Sequence, residues 1–139
     1  MKFCKFSSIC IGICAALTIS QWSMADDAAC NAIDIANSKS YSSGVSTNTK
    51  INKTGVDFAK ETPKIYSTFT KLTCEHVRDE VSNGEPASLY TQRYEAPAGI
   101  TSAQIWISKK TGLLLREELD GDLGPKGKGH ESMIFSYAK

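Results

Sequence analysis

The sequence predicts an α+β domain in which an antiparallel meander packs against one or two short helices, and three observations predict it. From Leu72 onward, short segments of alternating apolar and polar residues follow one another, separated by turns such as Asn83-Gly84 and Lys109-Lys110-Thr111-Gly112. Strands joined by short polar turns pair antiparallel with their neighbours. Ahead of them lie two stretches with apolar residues at helical spacing. Past an apolar leader, the roughly 114 remaining residues carry no repeat or long linker, which suits one domain with a modest core.

The leader comes first. Lys2 and Lys5 form a positive start, Ser7 to Ser20 an apolar run, and Ser23-Met24-Ala25 a small-x-small cleavage site. This pattern reads as a secretory signal peptide over residues 1–25, with a mature domain over 26–139. The apolar run is about 14 residues where a spanning helix needs roughly 20. A lipoprotein leader would place an aliphatic residue in the box before Cys30, where this chain has Asp27-Ala28-Ala29. The expected product is soluble, periplasmic or secreted, with no transmembrane segment after cleavage.

Within the domain, Asp27 to about Asn37 reads as a helix with Ala29, Cys30, Ile33 and Ala36 at helical spacing behind an acidic first turn. Ser38 to Lys53 is rich in Ser, Thr, Asn and Lys. It reads either as a weak strand, on the period-2 series Tyr41 to Ile51, or as a disordered loop. Thr62-Pro63 reads as a cap and first-turn pair opening a second helix through Ile65, Phe69 and Leu72. Cys74 to Arg78 and Ala87 to Tyr94 read as strands, with Asn83-Gly84 in a connection longer than a minimal hairpin. Ser102 to Ser108 alternates Ala103, Ile105 and Ile107 against Gln104, Trp106 and Ser108. Leu113 to Leu119 alternates again, with Leu113, Leu115, Glu117 and Leu119 on one side. The glycine-rich loop Asp120 to Gly129 leads to a last strand, Glu131 to Tyr137, making five strands or more.

Of five cysteines, Cys4, Cys10 and Cys14 lie in the leader, leaving Cys30 and Cys74. Two cysteines in a small secreted domain read as one structural disulfide. Closing a loop of about 45 residues stabilises a fold by roughly 4 kcal/mol on the chain-entropy account. No Cys-x-x-Cys pair points instead to redox or metal chemistry. Loss of Lys2 and Lys5 leaves 14 basic against 15 acidic residues, so nucleic acid is not the expected partner.

Catalytic motifs are missing from the sequence. His76 and His130 belong to no Gly-x-Ser-x-Gly elbow, Ser-x-x-Lys run or His-Glu-x-x-His helix, and they read as surface or structural residues. A two-carboxylate hydrolase is recognised by separation in space, and the acids give no reason to select a pair. The loop Asp120 to Gly129 lacks a Gly-Lys-Ser/Thr ending and runs into a strand, so it reads as a connection, not a phosphate cradle. Asp120 and Asp122 are too few oxygens for a calcium loop. The sequence therefore predicts no enzyme, no cofactor and no metal site.

Cys74-Glu75-His76-Val77-Arg78-Asp79-Glu80, Asn83-Gly84-Glu85, Gln104-Ile105-Trp106-Ile107-Ser108-Lys109 and Gly112-Leu113-Leu114-Leu115-Arg116 resemble an uncharacterised family of secreted proteobacterial proteins. More distantly, the Trp-Ile-Ser strand, turn and Gly-Leu-x-Leu-Arg strand are similar to strands of the periplasmic lipoprotein-carrier superfamily. That resemblance covers about Leu72 to Tyr137. It implies a curved sheet over helices, a half-barrel in reduced form, with acyl chains in the concavity, and it carries over no functional residue.

Tyr90, Tyr94 and Trp106 occupy the strand phase opposite Leu89, Ile105 and Ile107, so both sheet faces carry apolar area. They are the candidate ligand-binding residues. Half-buried Tyr and Trp are also ordinary in sheets. The expected function is non-catalytic binding of a hydrophobic or amphipathic ligand such as a lipid, acyl chain or lipoprotein. The alternatives are a protein-interaction module acting on an envelope partner, and a truncated family member without independent activity.

Overall fold

The computed structural model describes residues 27–46 and 49–137. The proposed leader lies outside the described residues. The chain forms a helix α1 over 27–42, strand β1 Lys50–Gly55, helix α2 Phe58–Thr68, and strands β2 Lys71–Ser82, β3 Glu85–Ala96, β4 Gly99–Ser108, β5 Leu114–Asp122 and β6 Lys128–Ile134. A 3-10 turn, Gly124–Lys126, links the last two strands. The six strands form one open antiparallel sheet in the order β1-β6-β5-β4-β3-β2. β2 to β6 are therefore a meander, and β1 closes the far side by pairing with β6. Both helices serve one face, which makes the domain α+β.

α1 runs past the Asn37 end suggested by apolar spacing. Its buried stripe continues from Ala29, Ile33 and Ala36 to Ser40, whose hydroxyl oxygen accepts from the Leu114 backbone N–H at 2.8 Å. A polar residue satisfying a strand amide extends the helix where hydrophobicity gives no signal. The segment 38–53 is thus helix at its start and strand at its end, with Val45 bridged to Tyr137 between them.

α2 also begins earlier than the Thr62-Pro63 signal. Asp57 is its N-cap, accepting from the Ala59 N–H at 3.1 Å, and Pro63 sits inside the helix. The cap carboxylate satisfies a first-turn donor that would otherwise face water or burial. Phe58 at the first helical position then turns onto the sheet over two glycines. A Cβ on Gly121 would lie 2.5 Å from the Phe58 ring, and one on Gly129 would lie 3.1 Å from it. The glycine-rich segment of β5 and β6 is therefore a seat for α2.

Asn83 and Gly84 have φ of 52° and 81° and connect the paired residues Ser82 and Glu85, so this turn is a minimal two-residue hairpin. β2 and β3 run up to it without the extra connection the sequence suggested. A bulge at Val77 separates His76 from Arg78 in the pairing with β3. A second falls at Leu115, between the pairs Trp106 with Arg116 and Ile107 with Leu114. It breaks the expected alternation: Leu114 packs in the core under α1, whereas Leu115 packs with Ala87, Leu89 and Trp106 on the other face. An extra residue in one strand reverses which side chains point inward.

The register sets the rows of the helix-covered face. One runs His76, Tyr90, Ile105, Glu117, Met133, Ile51; the next runs Cys74, Gln92, Ala103, Leu119, Glu131, Lys53. The core lies between these rows and α1, and contains Ile33, Cys74, Ala103, Ile105, Ile107, Leu114 and Phe135. Cys30 of α1 is disulfide-bonded to Cys74 of β2, with the Cα atoms 5.2 Å apart.

Candidate functional site

The two helices and the sheet face beneath them bring aromatic and acidic side chains together in one candidate site. Its floor holds Glu117, which shares the inward phase of Leu119 and stands between Ile105 on β4 and Met133 on β6. Glu117 is half-buried. Burial, and secondarily the charge of Glu131, push its carboxyl up to about 7. Glu131 itself is matched by Lys53 of β1 at 3.3 Å.

The walls are tyrosines. Tyr94 of β3 packs on α2, with ring centroids 4.6 Å from Tyr66 and 5.4 Å from Phe69. Burial is the main cause holding the Tyr66 hydroxyl up to about 12, reinforced by Tyr94, Glu117 and Tyr41. Tyr41 belongs to the last turn of α1, so these electrostatic contacts span both helices and the floor. Tyr94 is raised by burial first and then by Asp34 of α1. Ile51 on β1, Tyr66 and Phe69 are each about half exposed.

The three aromatics that the sequence singled out do not share a surface. Tyr90 and Tyr94 stand on the helix-covered face in register with Ile105 and Thr101. Trp106 pairs with Leu89 on the opposite face, where it is buried. Its indole N–H donates to Glu80 at 2.6 Å and the Arg116 guanidinium lies 4.9 Å over the ring. Alternation within each strand correctly opposed Trp106 to Ile105, but relative register between strands decides which aromatics meet. Glu117, Tyr41 and Tyr66 went unread for related reasons. Alternation already put Glu117 in the phase of Leu119 but does not mark a carboxylate as unpaired, and the tyrosines needed the packing of two helices.

Comparison of the chain with protein-family models, with curated proteins and with solved structures finds no match. The site must be weighed on its chemistry alone.

Two polar clusters compete with this site. At one, Asp79 accepts from Ser88 at 2.8 Å and from His76 at 3.1 Å and pairs with Lys109. These donors, Lys109 first, hold the Asp79 carboxyl far below its usual range. A serine relay places histidine between serine and carboxylate; here the carboxylate is central and the serine proton points at it, so the hydroxyl is not activated. The other is a depression of about 350 Å³ on the opposite sheet face, lined by Arg93, Ser102, Asp120, Asp122 and Lys128 among others. Its charges are already matched, Arg93 with Glu95 at 3.2 Å, Lys128 with Asp122 at 3.5 Å and His130 with Asp120 at 2.7 Å. Among the described residues, no group of three or more His, Cys, Asp and Glu is placed to hold a metal ion, and no helix is long and apolar enough to cross a membrane.

Proposed function

We propose that the protein is a non-catalytic ligand-binding protein, periplasmic or secreted through a leader over residues 1–25, which takes an amphipathic molecule on the helix-covered face beside α1 and α2. The observation that carries this reading is the half-buried Glu117 on the helix-covered face together with the packed rings of Tyr66 and Tyr94 and the half-exposed Ile51 and Phe69. Ligand sites are mostly apolar concavities with a few placed polar groups. The open antiparallel sheet with two helices on one face also agrees with the layout that a distant relation to the lipoprotein carriers would imply. That likeness is one of architecture and carries no activity by itself.

The test is native mass spectrometry under non-reducing conditions on protein purified from a bacterial periplasm. A bound species of lipid mass, lost on denaturation and reduced in a Tyr66→Ala variant, supports the reading. A bare polypeptide that also fails to take up added amphiphiles sinks it. The intact mass checks the leader at the same time, since cleavage after Ala25 gives a chain beginning at Asp26.

A second reading has its own observation. β2 is a free edge of the sheet, and on it Val77 and Val81 are 40% and 71% exposed. An envelope protein could add a strand there. The bulge at Val77 and the charges of Glu75, Arg78, Asp79 and Glu80 oppose edge pairing, so this reading ranks below the first.

A further inference from the structure

We infer that Asn83 is a site of spontaneous deamidation, and that its conversion to a carboxylate releases the tip of the β2–β3 hairpin from β5. Water is the co-reactant. The change turns a hydrogen-bonded latch into a negative charge.

Sequence and geometry meet at this residue. Asn83 is followed by glycine, whereas Asn31, Asn37, Asn48 and Asn52 are followed by Ala, Ser, Thr and Lys. Deamidation begins when the backbone nitrogen of the next residue attacks the asparagine side-chain carbon, an approach that a following side chain obstructs. Glycine has no side chain to obstruct it. Asn83 and Gly84 are both exposed at the tip, and a Cβ on Gly84 would meet nothing within 4 Å. Strand pairing ends with Ser82 and Glu85, so the Gly84 N–H lies outside the ladder.

The Gly84 nitrogen loses its proton and bonds to Cγ of Asn83, the Cγ–Nδ2 bond breaks, and ammonia carries the proton away. Water then opens the cyclic imide at either carbonyl, giving aspartate or the isomer whose main chain runs through the side-chain carbon. The departing nitrogen is the one that holds the tip, since Asn83 Nδ2 donates to the Leu115 carbonyl at 3.2 Å. That carbonyl also accepts from the Phe135 N–H at 3.0 Å. An ionised carboxylate at position 83 has no proton to offer and meets only the lone pairs of the oxygen. The isomer also adds a main-chain carbon to a turn built for two residues with φ of 52° and 81°. Leu115, which the tip holds, packs in the small cluster of Ala87, Leu89 and Trp106, so release of the tip loosens the cover of the indole. The ladder and the Cys30–Cys74 bond are not touched by the reaction, and the fold is retained.

The experiment incubates the disulfide-intact protein beginning at Asp26 at pH 8 and at pH 6, and follows intact mass, peptide maps and acrylamide quenching of Trp106. The expected result is a gain of one mass unit confined to the peptide that carries Asn83, several-fold faster at pH 8 because the attacking nitrogen must lose a proton. Quenching should rise in step with the gain. Asn83→Asp should show the higher quenching from the start, and Asn83→Gly, which suits the positive φ of the turn, should show no gain in that peptide. No gain at Asn83, an earlier gain at another asparagine, or quenching that stays unchanged in the converted protein and in Asn83→Asp would overturn the inference.

Discussion

The side-chain amide of Asn83 donates to the backbone carbonyl of Leu115 across 3.2 Å, joining the tip of the β2–β3 hairpin to the bulge that opens β5. β4 lies between β3 and β5, so the contact requires the hairpin to curl over the face that carries no helix. Ala87, Leu89 and Trp106 are buried there beneath strand ends and the stems of Arg116 and Glu80. The sheet thus has a main core under the helices and a small second core on its other side.

That second core has its own optical reporter. The chain has two tryptophans, Trp22 in the proposed leader and Trp106, so tryptophan emission from a protein beginning at Asp26 would be that of Trp106 alone. Glu80→Ala removes the carboxylate that accepts the indole N–H at 2.6 Å. The expected result is a lower melting temperature and emission shifted to longer wavelength as water reaches the ring. An unchanged spectrum would mean that the hydrogen bond does not seal the indole.

The stability of the domain should fall as pH rises through neutrality on account of Glu117. Its folded pKa, about 7, lies above its ordinary 4.5. The stabilisation is therefore fully present below about 4.5 and lost as pH climbs through 7, where the folded carboxyl must ionise. The full span amounts to at most roughly 3 kcal/mol, since one pKa unit is about 1.4 kcal/mol and the group retains some contact with water. Denaturant unfolding at pH 5 and pH 8 measures the slope, and Glu117→Gln should flatten it while raising stability at pH 8.

Gly121→Ala tests the seating of α2. Its Cβ would lie 2.5 Å from the Phe58 ring, so helix or ring must shift, at a cost of about 1–3 kcal/mol. Phe58→Ala alone should cost roughly 3–5 kcal/mol through the cavity it leaves. In the double variant, the alanine at 121 should cost less than it does alone, because the ring it strikes is gone. Additive losses in urea titrations would contradict the contact.

Reduction, or the paired Cys30→Ser and Cys74→Ser changes, should lower unfolding free energy by about 3–4 kcal/mol. The bond closes a loop with a sequence separation of 44. Guanidinium midpoints with and without reductant provide the measurement, and equal midpoints would show that the closed loop is already restrained in the unfolded chain.

The meander was legible because β2 to β5 combine alternation with turn residues of specific chemistry. Asn83-Gly84 adopts the positive φ values that such a pair favours. The disulfide was legible because only two cysteines, Cys30 and Cys74, follow residue 25. Polar contacts were less visible: Ser40 extends α1 and Asp57 starts α2 through hydrogen bonds that apolar spacing does not record. The bulge at Leu115 was the least visible, because three consecutive leucines offer two registers of similar hydrophobicity. Selection between them falls to long-range packing: Leu114 against α1, and Leu115 against Trp106.

The bond between Cys30 and Cys74 also determines how the molecule fails when the backbone is cut. β1, exposed along its whole length, lies inside the closed loop with most of α1 and all of α2. A protease that severs the chain anywhere between the two cysteines yields fragments that remain one covalent particle, with the N-terminal turn of α1 still tethered to β2. Such a nick leaves the helix attached instead of releasing it. On a gel, the nicked protein would run at full mass until reductant is added.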